Sequence, residues 1–333
     1  MKPAEIIAVH NVPSTYHVPA LLEEQGLLPS ISKLLRFDLL TKSTQSAANG
    51  VDMWKDWKSL TAPRTDACRT VTIALVGKYT SFMDSYISVL KSLEHSVMSC
   101  RHKLNLVTVE ASHLEESTLE FPNEDYDEAW KKVRTADGIL VPGGFGVRGT
   151  EGMIAAAQWA RDNKIPYLGI CLGMQTAVIE FARHVCNIPD AGSIELSPNC
   201  SDPVIIFMPE IDTTNMGGTM RLGSRPTVFQ DGSDWSKVRK LYARKKVISE
   251  RHRHRYEVNP EYIERLGVAG LHFIGKDEKG LRMEVFELQD HPWYVGVQFH
   301  PEYLSRVLQP SKPFLGFVSA AIEKQVQKMS VGK

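Results

Sequence analysis

An excess of charge of either sign is what this sequence most plainly lacks. Lys plus Arg total 39 and Asp plus Glu total 39, so the formal net charge is zero. A nucleic-acid binder needs a concentrated basic face to displace counterions from phosphates, so no nucleic-acid partner is expected. Long apolar runs are missing too. No stretch approaches the roughly 20 residues of a membrane-spanning helix, and the opening Met1-Lys-Pro-Ala-Glu-Ile-Ile-Ala-Val-His10 places a charge and a histidine where a secretory leader needs an unbroken apolar segment. Cysteine is sparse: Cys68, Cys100, Cys171, Cys186 and Cys200 form no C-x-x-C pair. An odd, unpatterned set fits reduced thiols better than a disulfide framework. No internal repeat or low-complexity tract is present. Together these absences predict a soluble cytoplasmic protein with no membrane partner.

What is present is enough apolar material, 43% over 333 residues, for one large domain with an appendage or for two modest domains. Glu5–Val9 reads as a strand and Val18–Gly26 as a short helix closed by glycine, with Ile31, Leu34 and Leu35 adding an apolar face. Residues 38–68 read as a linker, polar at first and then carrying Trp54 and Trp57 on a short amphipathic turn. From Arg69 strands and helices alternate. Val71–Gly77, Leu104–Val109, Gly138–Val141 and Tyr167–Ile170 are apolar strand candidates, with helical periodicity around Tyr86–Leu93, Tyr126–Val133 and Gly152–Asp162. That rhythm predicts an α/β fold with a doubly wound, mostly parallel sheet. After Cys186 the pattern turns to added strands: Pro203–Met208, Thr219–Gly223, Leu271–Gly275, Arg282–Leu288 and Trp293–Phe299. Lys276–Gly280 suggests a hairpin turn, and a last helix spans Phe314 to Gln325.

The run from Ile165 to Val185 organises the rest. A short apolar strand ends at Ile170, and Met174, Ala177, Val178, Phe181 and Val185 recur at helical spacing. Between them Cys171 is flanked by Gly169 and Gly173, the G-x-C-x-G form of a nucleophile elbow. A Cβ at either glycine would crowd so sharp a turn. A thiol there sits at the positive end of a helix dipole, which favours the thiolate. A lone cysteine is more often an inert buried side chain; the strand, the paired glycines and the helix make this one a candidate nucleophile.

Two further stretches supply candidate partners. Pro142-Gly-Gly-Phe-Gly-Val-Arg-Gly149 contains a dinucleotide-type glycine pattern at Gly144, Gly146 and Gly149. It is not on the first βαβ unit, and the next strand ends in Ile170-Cys171 rather than in an acid. Loops at adjacent strand C-termini meet in one crevice, so the Gly143-Gly144 amides and the Leu172 N–H can form an oxyanion hole. Gly77-Lys-Tyr-Thr80 lacks the features of a phosphate loop. Gln298-Phe-His300-Pro-Glu302 ends a predicted strand. If alternate residues share a face, Glu302 holds one ring nitrogen of His300 while the other reaches the thiol. His252 and His254 in Arg251-His-Arg-His-Arg255 lack a cysteine or carboxylate cluster beside them and are interleaved with arginines, so they read as an anion or substrate contact, and no metal site is expected.

Pro-Gly-Gly-Phe-Gly, Gly-Ile-Cys-Leu-Gly-Met-Gln and Gln-Phe-His-Pro-Glu, in that order, resemble the class I (triad) glutamine amidotransferases. More narrowly, Val147–Gly152, Gly217–Gly223, Glu250–Asn259, Ile7–Pro13 and Tyr16–Gly26 resemble the CTP synthase family over essentially the whole chain. The resemblance implies a flavodoxin-like amidotransferase domain over residues 69–327, a linker over 38–68 and a remnant of a synthetase (amidoligase) domain over 1–37. It implies a Cys171-His300-Glu302 triad acting on L-glutamine, with Gly144, Leu172, Gly173, Met174, Gln175, Glu195 and Arg255 around the substrate. Arg221 would belong to the part that senses the activator GTP. No cofactor is implied for this chain itself, whereas ATP and Mg2+ would serve the synthetase domain, and the full-length family implies a homo-oligomer, a tetramer that can form filaments. If the sequence is complete as given, it could release ammonia from glutamine but not aminate UTP, and the apolar surface of residues 1–37 would lack its partner. Two other readings stay open: a triad hydrolase of another γ-glutamyl or peptide bond, and a catalytically silent fragment serving assembly or regulation.

Overall fold

In a computed structural model of the chain, residues 6–36, 44–62, 69–116, 124–208 and 220–331 are described. The chain divides into two compact units, Met1–Cys68 and Arg69–Lys333. The first is helical: α1 (Val18–Glu24), α2 (Leu27–Leu34) and α3 (Thr44–Thr61). Gly26 joins α1 to α2 in the left-handed region, φ 77°. Trp54 donates to Glu23 Oε1 at 2.5 Å and Trp57 to the Tyr16 carbonyl at 3.2 Å. Two sequence expectations fail here. Ile6–Val9 forms no strand (Glu5 lies outside the described residues), and the expected linker contains an 18-residue helix instead of a short turn. Its low apolar content hid its length, because the tryptophans and not a continuous stripe hold it.

The second unit runs β1 (Thr70–Gly77), α4 (Ile87–Ser99), β2 (Lys103–Glu110), α5 (Glu124–Thr135), β3 (Gly138–Val141), α6 (Thr150–Asp162), β4 (Tyr167–Ile170), α7 (Leu172–His184), β5 (Ala191–Ser193), β6 (Asp202–Phe207), β7 (Arg221–Phe229), α8 (Lys237–Leu241), β8 (Val247–His254), β9 (Tyr256–Val258), α9 (Ile263–Val268), β10 (Leu271–Lys276), β11 (Met283–Leu288), β12 (Tyr294–Val297) and α10 (Lys312–Val331). Among the described residues a nine-stranded sheet has the order β2-β1-β3-β4-β12-β11-β10-β7-β8. From β2 to β12 neighbours are parallel; from β12 onward they are antiparallel, which is the predicted addition of strands. β5, β6 and β9 make a small second sheet.

Strand periodicity divides the core in two. Val71, Ile73 and Leu75 of β1 pack with Leu93 of α4 and Phe314 and Phe317 of α10. Ala74 and Val76 turn the other way, into the cluster holding Val133 of α5, Met153 and Ala157 of α6 and Phe181 of α7. Helices therefore cover both faces. The C-terminal ends of β1, β3, β4 and β12 lie side by side, and each delivers a candidate residue: Lys78, the Gly143-Gly144 loop, Cys171 and His300. This is where open α/β sheets bind ligands.

The sequence missed β8, because its inward positions are Ile248, Glu250, His252 and His254 and no apolar alternation marks it. The expected strand Thr219–Gly223 starts later, as β7, and Gly217, Gly218 and Thr219 lie outside the described residues, as does Cys68. No helix among the described residues is long and apolar enough to cross a membrane.

Helix α7 approaches the sheet so closely that a Cβ on Gly173 would lie 2.0 Å from the Val141 carbonyl oxygen, while Gly267 of α9 has open space around it. Gly173→Ala is expected to lower stability by about 3 kcal/mol or more, and Gly267→Ala to raise it by about 0.5 kcal/mol. Urea denaturation of both variants checks this; a Gly173→Ala protein as stable as wild type would contradict the packing.

Candidate active site

The elbow forces Cys171 into an unusual conformation, φ 52° and ψ −105°. For a residue with a Cβ this costs on the order of 1–3 kcal/mol and persists only where surrounding structure compels it. Here the compulsion is close packing on both sides. A Cβ on Gly169 would lie 2.5 Å from the Gly173 carbonyl oxygen, and Gly173 is pressed on Val141. The Cys171 N–H is tied to the Val297 carbonyl at 2.8 Å, and the thiol points to the Arg253 carbonyl at 3.8 Å. The side chain is left at the N-terminus of α7, 5% exposed.

His300 Nδ1 lies 2.7 Å from Glu302 Oε1. The ring nitrogen facing the carboxylate donates, which directs Nε2 toward the thiol. The two residues do not meet by sharing a strand face, as the sequence suggested: β12 stops at Val297, and Pro301–Leu304 is a 3-10 turn that folds Glu302 back on the ring. The His300 N–H donates to the Arg251 carbonyl at 2.7 Å, and Tyr303 stacks on the imidazole with centroids 5.3 Å apart. Burial disfavours the charged ring, but hydrogen bonding to Cys171 and Glu302 and the electrostatic pull of those two side chains outweigh it and raise the His300 pKa. Gly143 closes the group from above: a Cβ there would be 2.8 Å from His300 Cε1 and 3.5 Å from Cys171 Cβ. Cys171, His300, Glu302 and Gly144 line one cavity of about 240 Å³, with Tyr79, Phe145 and Arg253 at its walls.

The other candidates divide by location. Leu172, Gly173, Met174 and Gln175 form the first turn of α7, with Leu172 packed against Gly144. The Met174 side chain is fully buried. Gln175 Nε2 lies 3.2 Å from both the Tyr256 carbonyl and Gln298 Oε1, so its amide is engaged by the protein. Glu195 Oε1 accepts from the Gly146 N–H at 3.3 Å. Burial raises the pKa of Glu195, opposed by that N–H and by the charges of Lys78 and Arg255. Arg255, between β8 and β9, is thus electrostatically linked to Glu195. Neither lines the cavity at His300.

Lys78 was passed over in the sequence. Its ammonium, 2% exposed, donates to the Gly146 carbonyl and, at 3.4 Å, to that of Phe145, pinning the glycine loop to the end of β1. Arg148 reaches from that loop to Glu110 and the Lys78 carbonyl. The available signal was position: Lys78 directly follows the first parallel strand, where the loops converge.

His252 and His254 are corrected outright. They are buried, inward-facing residues of β8, and a carboxylate does lie beside them: Glu284 Oε2 is 3.4 Å from His252 Nε2. His254 Nδ1 donates to the Tyr256 carbonyl at 2.9 Å, so its Nε2 accepts from His252 Nδ1 at 3.1 Å. Burial drives both imidazoles toward the neutral form and pushes Glu284 up to about 8, with Arg221 opposing. Arg221 donates to Glu284 Oε1 at 3.2 Å, away from the cavity at Cys171. Buried and engaged with each other and with Glu284, these histidines do not make the expected anion or substrate contact.

A family model described as glutamine amidotransferase class-I matches residues 81–320. CTP synthase of Schizosaccharomyces pombe is 56% identical over 319 residues, 96% of this chain and 53% of that protein. CTP synthase 1 of Saccharomyces cerevisiae is 51% identical over 321 residues, 96% and 55% respectively. This chain therefore spans about half the length of the curated relatives it matches. Among solved structures, the glutaminase domain of Trypanosoma brucei CTPS with bound acivicin is 39% identical, superposes with a TM-score of 0.69, and covers 76% of this chain and 94% of that one. The alternative of a silent assembly fragment gains no support from these relatives.

Burial lowers the Lys78 pKa to about 8, opposed mainly by Glu195. Between about 8 and its ordinary 10.5 the unfolded chain binds a proton that the folded chain has released, so this group makes stability rise with pH over that window. Urea titrations across it are expected to show a steeper rise for wild type than for Lys78→Met. Parallel curves would contradict the burial of the ammonium.

Proposed function

The chain belongs to the class I glutamine amidotransferase family, and from that premise we propose that it is the glutaminase portion of a CTP synthase. It hydrolyses L-glutamine to glutamate and ammonia through Cys171, His300 and Glu302. The observation that carries this reading is the 2.7 Å His300–Glu302 pair in the same cavity as a cysteine held at positive φ on a strand-to-helix elbow. A thiolate, a base and a carboxylate that orients the base are the parts needed for covalent acyl transfer.

The Cys171 thiolate attacks the carboxamide carbon, and the oxygen takes up negative charge against the Gly144 and Leu172 N–H groups. Losing one such donor typically costs about 10²- to 10³-fold in rate. His300, whose raised pKa keeps it protonated as attack begins, gives its proton to the departing nitrogen. The C–N bond breaks, ammonia leaves, and a γ-glutamyl thioester remains. Neutral His300 then takes a proton from water, the hydroxide attacks the thioester, and glutamate and the thiolate are released. Glu302 stabilises the imidazolium in both halves. Glu195 receives the substrate ammonium, and Arg255, whose charge acts on Glu195, the carboxylate end. The Gly173, Met174 and Gln175 backbone forms the floor beside the elbow.

The ammonia is used by a synthetase domain that aminates UTP to CTP with ATP and Mg2+. Residues 69–327 carry the glutaminase, residues 1–37 the end of that second domain, and residues 38–68 the connection between them. The full-length protein is a homo-oligomer, a tetramer or a filament of tetramers, activated by GTP on the Arg221 side, in the cytoplasm. The similarity to CTP synthases over 96% of the chain supports this extension.

Cys171→Ala is expected to lower ammonia release from glutamine by a factor on the order of 10⁶. Enzymatic ammonia assay, with and without GTP, checks it. Residual turnover within about tenfold of wild type would remove the nucleophile assignment. Activity on γ-glutamyl peptides in preference to glutamine would favour the other hydrolase.

A further inference from the structure

Behind the His300–Glu302 pair lies a second buried carboxylate that the reaction described above does not use. Glu250 points inward from β8, 5% exposed, and Tyr242 donates its hydroxyl to Glu250 Oε1 at 2.6 Å. Glu302, 7% exposed, accepts from His300 Nδ1 on its Oε1. The remaining oxygen of each, Oε2 of Glu250 and Oε2 of Glu302, is buried and has no hydrogen-bond partner among the described residues. β8 packs on the 3-10 turn that carries Glu302, and the residue after Glu250 accepts the His300 N–H.

We propose that Glu250 is a positioning residue that holds a proton on Oε2 and shares it with Glu302 Oε2, making the array a relay of Cys171, His300, Glu302 and Glu250 closed by Tyr242. Two buried carboxylates on elements packed together, each with an unpartnered oxygen, are stable as neighbours when one of them is protonated. Glu302, opposite the imidazole, is the ionised member. Glu250 is the neutral one, since burial pushes it up to about 7 against the hydrogen bond from Tyr242, and the charge of Glu302 adds a smaller push in the same direction. The other groups around Glu250 do not replace this partner. Arg225, opposite on β7, is exposed and turned to the Leu222 carbonyl, and His252, next along the inward face, is held neutral toward His254 and Glu284.

The shared proton fixes Glu302 with Oε1 on the ring. When the pH rises through neutrality the proton leaves, a second negative charge appears behind His300, and the imidazole holds its own proton more tightly. In Glu250→Gln the amide N–H can still donate to Glu302, but that charge never develops.

The proposal rests on the triad reading for its catalytic consequence, so the test begins with readouts that need no turnover. Infrared spectra of the whole chain are expected to show a protonated-carboxyl stretch that fades as pH rises through neutrality and is missing from Glu250→Gln, while the separate band of Glu284 persists. The His300 imidazole, followed by NMR and assigned with His300→Gln, is expected to titrate about one unit lower in Glu250→Gln than in wild type. In glutamine hydrolysis, Glu250→Leu is expected to lose roughly tenfold in kcat with little change in KM, and Glu250→Gln to recover most of it. Identical carboxyl bands in wild type and Glu250→Gln would overturn the proposal. So would an unmoved His300 titration with Gln and Leu equally impaired, since that is a packing role alone. A silent wild-type chain whose bands and His300 titration behave as expected would count against the glutaminase reading and leave the shared proton standing.

Discussion

The close approach of helix α7 to strand β3 is the constraint on which the site depends. With the Val141 carbonyl where a Gly173 side chain would be, the helix can begin only one residue after the strand ends. Cys171 must then absorb the reversal at φ 52°. The strain is local, but what it achieves is directional: the thiol stands at the dipole end of α7, and the Leu172 N–H is left without an intrahelical acceptor. Everything else at the site is brought to that fixed point by the parallel order of the sheet. β1 brings Lys78, β3 the glycine loop and β12 the histidine, because the C-terminal edges of adjacent parallel strands are necessarily neighbours.

β8 is the second organising element, and it works through its backbone as much as its side chains. Its carbonyls at Arg251 and Arg253 face the His300 N–H and the Cys171 thiol, so one strand sets the spacing of these two residues. What fixes the strand is polar. Glu250, His252 and His254 point inward, with Tyr242, Glu284, Arg221 and the Tyr256 carbonyl as their partners. Buried polar groups tolerate few alternative arrangements, because each misplaced donor or acceptor costs on the order of 1–3 kcal/mol. An apolar strand would slide more easily. The cost of burying these groups is thereby converted into precision at Cys171 and His300.

The same chemistry explains what was legible in the sequence. β1, β3 and β4 were readable as short, almost continuously buried apolar runs and α7 by the helical spacing of its apolar residues, and the elbow was readable because steric crowding leaves glycine as the residue that fits at positions 169 and 173. β8 was not, since its inward face is glutamate and histidine and its outward face arginine, the reverse of the usual code. The His300–Glu302 contact was anticipated, but through a strand face; the 3-10 turn begun by Pro301 makes it instead. Lys78 was invisible as a loop anchor because its partners are backbone carbonyls nearly seventy residues away, a distance no local pattern encodes. The length of the helix Thr44–Thr61 was missed for a related reason: its polar composition carries no core-facing stripe.

If Cys171 is the nucleophile of a glutamine-specific site, covalent trapping reveals it without any turnover assay. A diazoketone analogue of glutamine, incubated with the folded chain and followed by intact-mass and peptide analysis, is expected to place one label per chain on Cys171. Excess glutamine should slow the labelling, and Glu302→Gln should slow it through the weakened histidine. Labelling of Cys100, Cys186 or Cys200 at a comparable rate, or labelling of Cys171 that glutamine does not protect, would contradict the account.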